Sequence, residues 1–246
     1  FNDIKTNIDY INSYLISRGL INKNVLSLSS NCVESYILES ELIKLGSRLN
    51  LTNKISLIDI QFNMNFDIII VDNISDVIDN NFFNKPIQNK IIISIENFKK
   101  TKDIDDSFIS LQNIYKIGLL SKKNAKDKEK ELKINFIDEF SIIESNEFKL
   151  YRINHVEEFI KNNQSHFNSL DENEFSTSLY LKKDLFSQSM ILFFLKYKNK
   201  FTNNKSIKQF LTNINEIMPM NLIIDSDSPN EIIKICKINK VKFSEL

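Results

Sequence analysis

Two aspartates stand where a carboxylate would meet a ligand. Asp72 closes the run Phe66-Asp67-Ile68-Ile69-Ile70-Val71, and Asp225 closes Met220-Asn221-Leu222-Ile223-Ile224. A short Ile/Val run bounded by polar residues is the pattern of a strand buried on both faces, because a parallel sheet covered by helices leaves no face for water. In open α/β sheets the carboxyl ends of such strands converge on a crevice, and chemistry and ligands are found there. Ser94, in Ile91-Ile92-Ile93-Ser94-Ile95, and Lys122, directly after Ile117-Gly118-Leu119-Leu120-Ser121, stand at or near the ends of two further runs of the same kind.

Other chemistries find little support. Gly19, Gly46 and Gly118 are the only glycines, so neither phosphate-cradling loop can be built, since each needs several glycines close together for backbone amides to reach a phosphate. His155 and His166 lie apart in a polar stretch and read as surface residues, and Cys32 and Cys236 form no Cys-x-x-Cys or Cys/His cluster. No metal and no cofactor are expected. Lys+Arg and Asp+Glu both number 32 over 246 residues, so no net field favours nucleic acid or an anionic membrane. The lysine-rich stretch 122–133 also carries Asp127, Glu129 and Glu131 and reads as the solvated face of a helix. A 42% apolar and 26% charged composition is that of a soluble globular protein. No apolar stretch approaches a membrane span, no signal peptide is read, and the chain begins at Phe1. A cytoplasmic piece of a longer protein is expected.

The elements that must position these residues alternate. Residues 1–21 read as an opening helix or linker that stops at Arg18-Gly19. Val25 to Ser29 alternates as a strand. Asn31 to Leu45 follows as a helix ending at Gly46, with Glu34, Glu39, Glu41 and Lys44 on its polar face. Leu49 to Thr52 is a second strand, the Asp72 run a third, Ile91 to Ile95 a fourth and Ile117 to Ser121 a fifth, with Leu132 to Ile143 as the last helix. Strands alternating with helices at this spacing predict a doubly wound parallel sheet over 22–145.

The residues Asn24 to Asn31, Lys44-Leu45-Gly46, Phe66 to Asp72 and Gly118 to Lys122 resemble the receiver domain of two-component signalling, as found in hybrid sensor histidine kinases. The resemblance implies a five-stranded flavodoxin-like sheet in the order 2-1-3-4-5, with Asp72 at the phosphoacceptor position and Ser94 and Lys122 at the switch positions. Glu96 competes with Ser94 for the fourth-strand position. Where the family has a pair of metal-binding acids this chain has Ser29 and Ser30. Phosphoryl transfer to an aspartate needs Mg²⁺ held by carboxylates, so the resemblance implies a pseudo-receiver whose switch is disabled.

After a linker with a helix over 146–174, residues 175–246 repeat the pattern. Ser178 to Asp184 reads as a first strand, and Asp225 lies four residues before Pro229, the spacing of the family's phosphoacceptor loop. The interval from Asp72 to Asp225 equals that from Ser29 to Lys182, which points to internal duplication. Lys182 and Lys183 occupy the acid-pair positions of this second copy, where two ammonium groups repel Mg²⁺. The copy stops one strand and two helices short of a complete receiver. Its first helix, Phe186 to Leu195, is apolar nearly all round, so Ile191 or Phe194 is expected in an inter-domain or homodimer contact.

The function expected on these grounds is a non-enzymatic signalling module of tandem degenerate receivers. Its partners would be a sensor histidine kinase core or other signalling domains, or a second copy, with no nucleic acid and no membrane contact. The alternatives are a working receiver phosphorylated on Asp72 by a partner histidine kinase, and an unrelated small α/β enzyme or nucleotide binder.

Overall fold

A computed structural model describes residues 4–30, 32–52, 66–75, 90–98, 107–135, 139–144, 147–162, 176–179, 201–204, 221–224 and 242–245. The chain divides into two compact units, Phe1–Ser29 with Ile37–Ile153, and Ser30–Tyr36 with Asn154–Leu246.

The first unit is built from α1 (Ile4–Ser17), β1 (Asn24–Ser27), α2 (Val33–Lys44) from Ile37 onward, β2 (Arg48–Leu51), β3 (Ile68–Val71), β4 (Ile91–Ser94), β5 (Phe108–Ser110), α3 (Leu111–Glu129), β6 (Glu139–Glu144) and β7 (Glu147–Arg152). Its seven strands lie in the order β5-β4-β3-β1-β2-β6-β7. Every neighbouring pair is parallel except β6 with β7. All four residues of β3 are buried, as a central parallel strand requires. Leu26, Phe66, Ile69, Val71, Ile74, Ile92, Phe108 and Ile143 form one apolar cluster of its core. Helices α1 and α2 each turn out at a glycine with positive φ, Gly19 at 69° and Gly46 at 77°. At both ends the next amide reaches back five residues, Leu20 N–H to Leu15 O and Ser47 N–H to Leu42 O, closing the last turn.

The five-stranded receiver sheet is corrected on three points. The order 2-1-3-4-5 runs through β2-β1-β3-β4-β5, but the sheet continues past β2 into β6 and the antiparallel β7, so it is a seven-stranded mixed sheet. Ile117 to Ser121 is not a strand but the middle of α3. The strand in that place is the three-residue β5, and Ser110 at its end caps α3 by accepting the Asn113 amide at 3.3 Å. The expected helix over Leu132 to Ile143 is not formed where it is described: 132–135 are non-helical, and from Glu139 onward the chain is β6, paired with β2 through Leu49–Phe140, Asn50–Ser141 and Leu51–Ile142. Phe140, Ile142 and Ile143 are buried by that pairing and the layers over it.

A buried polar tie fixes β6 in place. The Asn50 side-chain amide donates to Asn24 Oδ1 at 3.0 Å and to the Val25 carbonyl at 2.9 Å, while its oxygen accepts from Ser141 Oγ at 2.6 Å. One side chain thereby joins β1, β2 and β6. At the far side of β6, Phe140 stacks on Tyr151 of β7 with ring centroids 5.8 Å apart, and Arg152 lies 3.5 Å from Glu139.

Beyond α4 (Ile153–Asn162), the second unit carries four parallel strands, β8 (Ser176–Leu179), β9 (Phe201–Asn204), β10 (Asn221–Ile224) and β11 (Lys242–Glu245), in the order β11-β10-β8-β9. This is the order of β4-β3-β1-β2 in the first unit. The spacing agrees too, since β9 begins 153 residues after β2 and β10 begins 153 residues after β3. Lys182, Lys183, Asp225, Ile191 and Phe194 lie outside the described residues.

Candidate functional site

The order of the first sheet sets the site. From β1 the chain crosses through α2 to β2 on one side, whereas β3, β4 and β5 are laid down on the other. The carboxyl ends of β1 and β3 therefore flank the point where the winding reverses, and a doubly wound sheet opens a crevice there.

On the β1 side the groups are hydroxyls backed by a buried acid. Ser29 is buried, and its Oγ lies 3.0 Å from Ser27 Oγ, which donates to Glu39 Oε1 at 2.5 Å. Both Ser27 and Glu39 are withdrawn from solvent. The Leu28 amide bonds the Ile70 carbonyl at 2.8 Å and holds this corner against β3. Ser30 is half-buried and falls in the segment that groups with the second unit.

On the β3 and β4 side the rim is acidic and amide-rich. Asp72 is half-buried, and its carbonyl accepts from the Glu96 amide at 2.8 Å. Ser94 Oγ stands 3.0 Å from the Asp72 carbonyl and 2.9 Å from that of Glu96. Its single proton serves one of them at a time, so the hydroxyl is engaged with the main chain. Asn73 bridges the rim, donating through Nδ2 to Glu96 Oε2 at 3.1 Å and accepting at Oδ1 from the amide and hydroxyl of Ser75. At the end of β5, Ser110 Oγ donates to Asn97 Oδ1 at 3.2 Å. Asp72, Asn73, Glu96 and Asn97 thus border three adjacent strand ends, and this rim suits hydroxyl or cationic groups of a ligand better than phosphate. Among the described residues no cluster of three or more His, Cys, Asp or Glu side chains could hold a metal ion.

The predicted site residues therefore separate. Ser29, Asp72 and Ser94 come to the carboxyl edge of the first sheet. Lys122 does not, because its segment is helical. It lies on α3 with its Nζ 3.7 Å from Asp9 and 5.0 Å above the Tyr10 ring. Sequence reasoning missed Asn73, Asn97 and the buried pair Ser27–Glu39. Asn73 and Asn97 follow strand ends and were open to the same argument as Asp72. Glu39 was not, since an acid on a helix reads as solvated. No helix among the described residues is long and apolar enough to cross a membrane.

No protein-family model matches the sequence, and no curated protein does. Solved structures do match. The R395G form of coronafacic acid ligase from Pectobacterium brasiliense superposes with a TM-score of 0.65 at 13% identity, over 94% of this chain and 45% of that one. The luciferase-like enzyme of the mealworm Zophobas morio gives 0.63 at 12%, over 99% and 64%. The o-succinylbenzoate CoA synthetase of Bacillus subtilis, solved with its acyl-adenylate intermediate, gives 0.54 at 10%, over 98% and 66%. The chain spans less than half of the ligase and under two thirds of the luciferase-like enzyme. These neighbours are enzymes and not receivers. The receiver resemblance is overturned, and with it the non-enzymatic two-component module, the disabled switch and the phosphoacceptor alternative. At such identities the likeness establishes one thing, that the mostly parallel seven-stranded sheet and the four parallel strands that follow it share the fold of these structures.

Proposed function

We propose that the chain is the ATP- and carboxylic-acid-binding part of an acyl-activating enzyme. The supporting observation is the extent of the fold likeness, 94% to 99% of the chain in the three structures compared, one of them holding an acyl-adenylate. In the reaction this implies, a carboxylate oxygen attacks the α-phosphorus of ATP, the bond to the bridging oxygen breaks, and pyrophosphate leaves. A thiol or amine then attacks the acyl carbon and AMP departs.

Within this reading the rim of Asp72, Asn73 and Glu96 contacts the hydroxyl-rich or neutral part of a ligand, because two carboxylates repel phosphate. Phosphate charge is met by lysine side chains, since the sequence lacks the clustered glycines for a backbone cradle. A cytoplasmic location belongs to the same reading.

The test is pyrophosphate–ATP exchange by the full chain with a panel of carboxylic acids. Exchange that depends on one class of acid, and that falls in Asp72→Ala, is expected. If no acid supports exchange and a non-hydrolysable acyl-sulfamoyl adenosine leaves the melting temperature unchanged, the reading fails.

A further inference from the structure

Helix α3 buries Leu111, Ile114, Gly118 and Ala125 along one side. The side turned away carries two adjacent leucines, Leu119 at 53% exposure and Leu120 at 84%. Lys116 lies one turn before them and Lys123 one turn after, with Lys126 a turn further, all exposed. The sequence has no Asp or Glu between Asp106 and Asp127, so the face is cationic throughout this stretch. Lys122 alone among these lysines meets a described acid, Asp9, and it points toward α1. Two leucines held in water forgo what burial would return, and a polar residue would serve the helix as well at either position.

We propose that this face of α3 docks an acidic amphipathic helix of a partner protein, whose apolar residues cover Leu119 and Leu120 and whose carboxylates meet Lys116, Lys123 and Lys126. Charge complementarity selects the occupant. A second copy fits badly, because a two-fold axis through the leucine pair sets Lys116 of one copy opposite Lys123 of the other. An anionic membrane fits less well than a helix. Interfacial helices bury a broad apolar face, whereas here two leucines are flanked by lysines, and Asp127, Glu129 and Glu131 follow within two turns.

The test uses the full chain and a labelled peptide of leucine and glutamate in amphipathic order, against the same residues scrambled. Fluorescence anisotropy should show binding that prefers the ordered peptide and weakens with salt. It should fall about tenfold or more in Lys116→Glu/Lys123→Glu and in Leu119→Ser/Leu120→Ser. Both variants change exposed positions and should keep the wild-type circular dichroism. Equal binding of ordered and scrambled peptides, or binding untouched by either variant, overturns the proposal. So does variant-sensitive partition onto phosphatidylserine vesicles without peptide preference, which assigns the face to a membrane, or a wild-type dimer in sedimentation that the variants split.

Discussion

Gly118 of α3 lies against the Tyr10 carbonyl of α1 so closely that a Cβ at position 118 would overlap the carbonyl oxygen. The two helices can approach to this distance because that residue has no side chain. Gly118→Ala adds about 1 kcal/mol of helix propensity, yet it must push backbone from backbone, and overpacking of this kind costs about 1–3 kcal/mol. A net loss of stability in urea unfolding is expected. A variant as stable as wild type would show that α1 and α3 separate without penalty.

The Ser27–Glu39 hydrogen bond is buried at both ends. Glu39→Leu, which takes the acceptor from the Ser27 hydroxyl, should cost about 1–3 kcal/mol, and Glu39→Gln, which keeps an acceptor, should cost less. In a double-mutant cycle with Ser27→Ala the two positions should couple. Strict additivity would mean that the hydroxyl and the carboxylate contribute independently.

Asn50 holds three strands, so its replacement should act at a distance along the sheet. Asn50→Leu leaves the Val25 carbonyl, Asn24 Oδ1 and the Ser141 hydroxyl without this partner, and a loss of about 1–3 kcal/mol follows. Amide hydrogen exchange should quicken in β6 more than in β3. Uniform acceleration across the sheet would contradict a local tie.

Tyr14 gives the molecule a pH dependence. Burial pushes its phenol above the ordinary value of 10.0, with Arg18 opposing. A raised folded-state value means that its contribution is fully present below the unfolded value and is lost as pH rises through the folded one. Wild type should therefore weaken relative to Tyr14→Phe from about pH 10 upward, read as the difference in urea midpoint. Parallel profiles for the two proteins would remove Tyr14 as the cause.

Much of the first sheet could be read from residues that have few alternatives. Ile68 to Val71 and Ile91 to Ile93 are too short and too apolar for anything but buried strands, and Gly19 and Gly46 end their helices as read. The failures have physical causes. Ile117 to Leu120 is as apolar as a strand, but what sets its conformation is the contact of Gly118 with α1, which is invisible in local pattern. β5 is three residues long and leaves almost no periodicity. β6 took the place of a helix because its stability comes from Leu49, Asn50 and Leu51, far away in sequence. In the site, Asp72 was legible because an acid after an Ile/Val run marks a strand end. Glu39 and Glu41, expected on a polar face, are buried, since the Ser27 hydroxyl and the Lys44 ammonium at 2.6 Å supply what water would have given.

The pairing of β2 with β6 also sets a schedule for folding. Leu51 and Ile142 stand side by side in the sheet, so on a ribosome β2 is synthesised long before the strand that covers its outer edge. Until Ile142 has emerged, β1 to β5 can assemble but β2 remains an open template for any extended segment nearby. Such long-range closure slows folding and lengthens the exposure of an unpaired edge. The Asn50 side chain adds to that interval a polar group whose partner on Ser141 has yet to arrive. Nascent chains stalled before β6 should thus recruit chaperones more strongly than chains stalled just after β7.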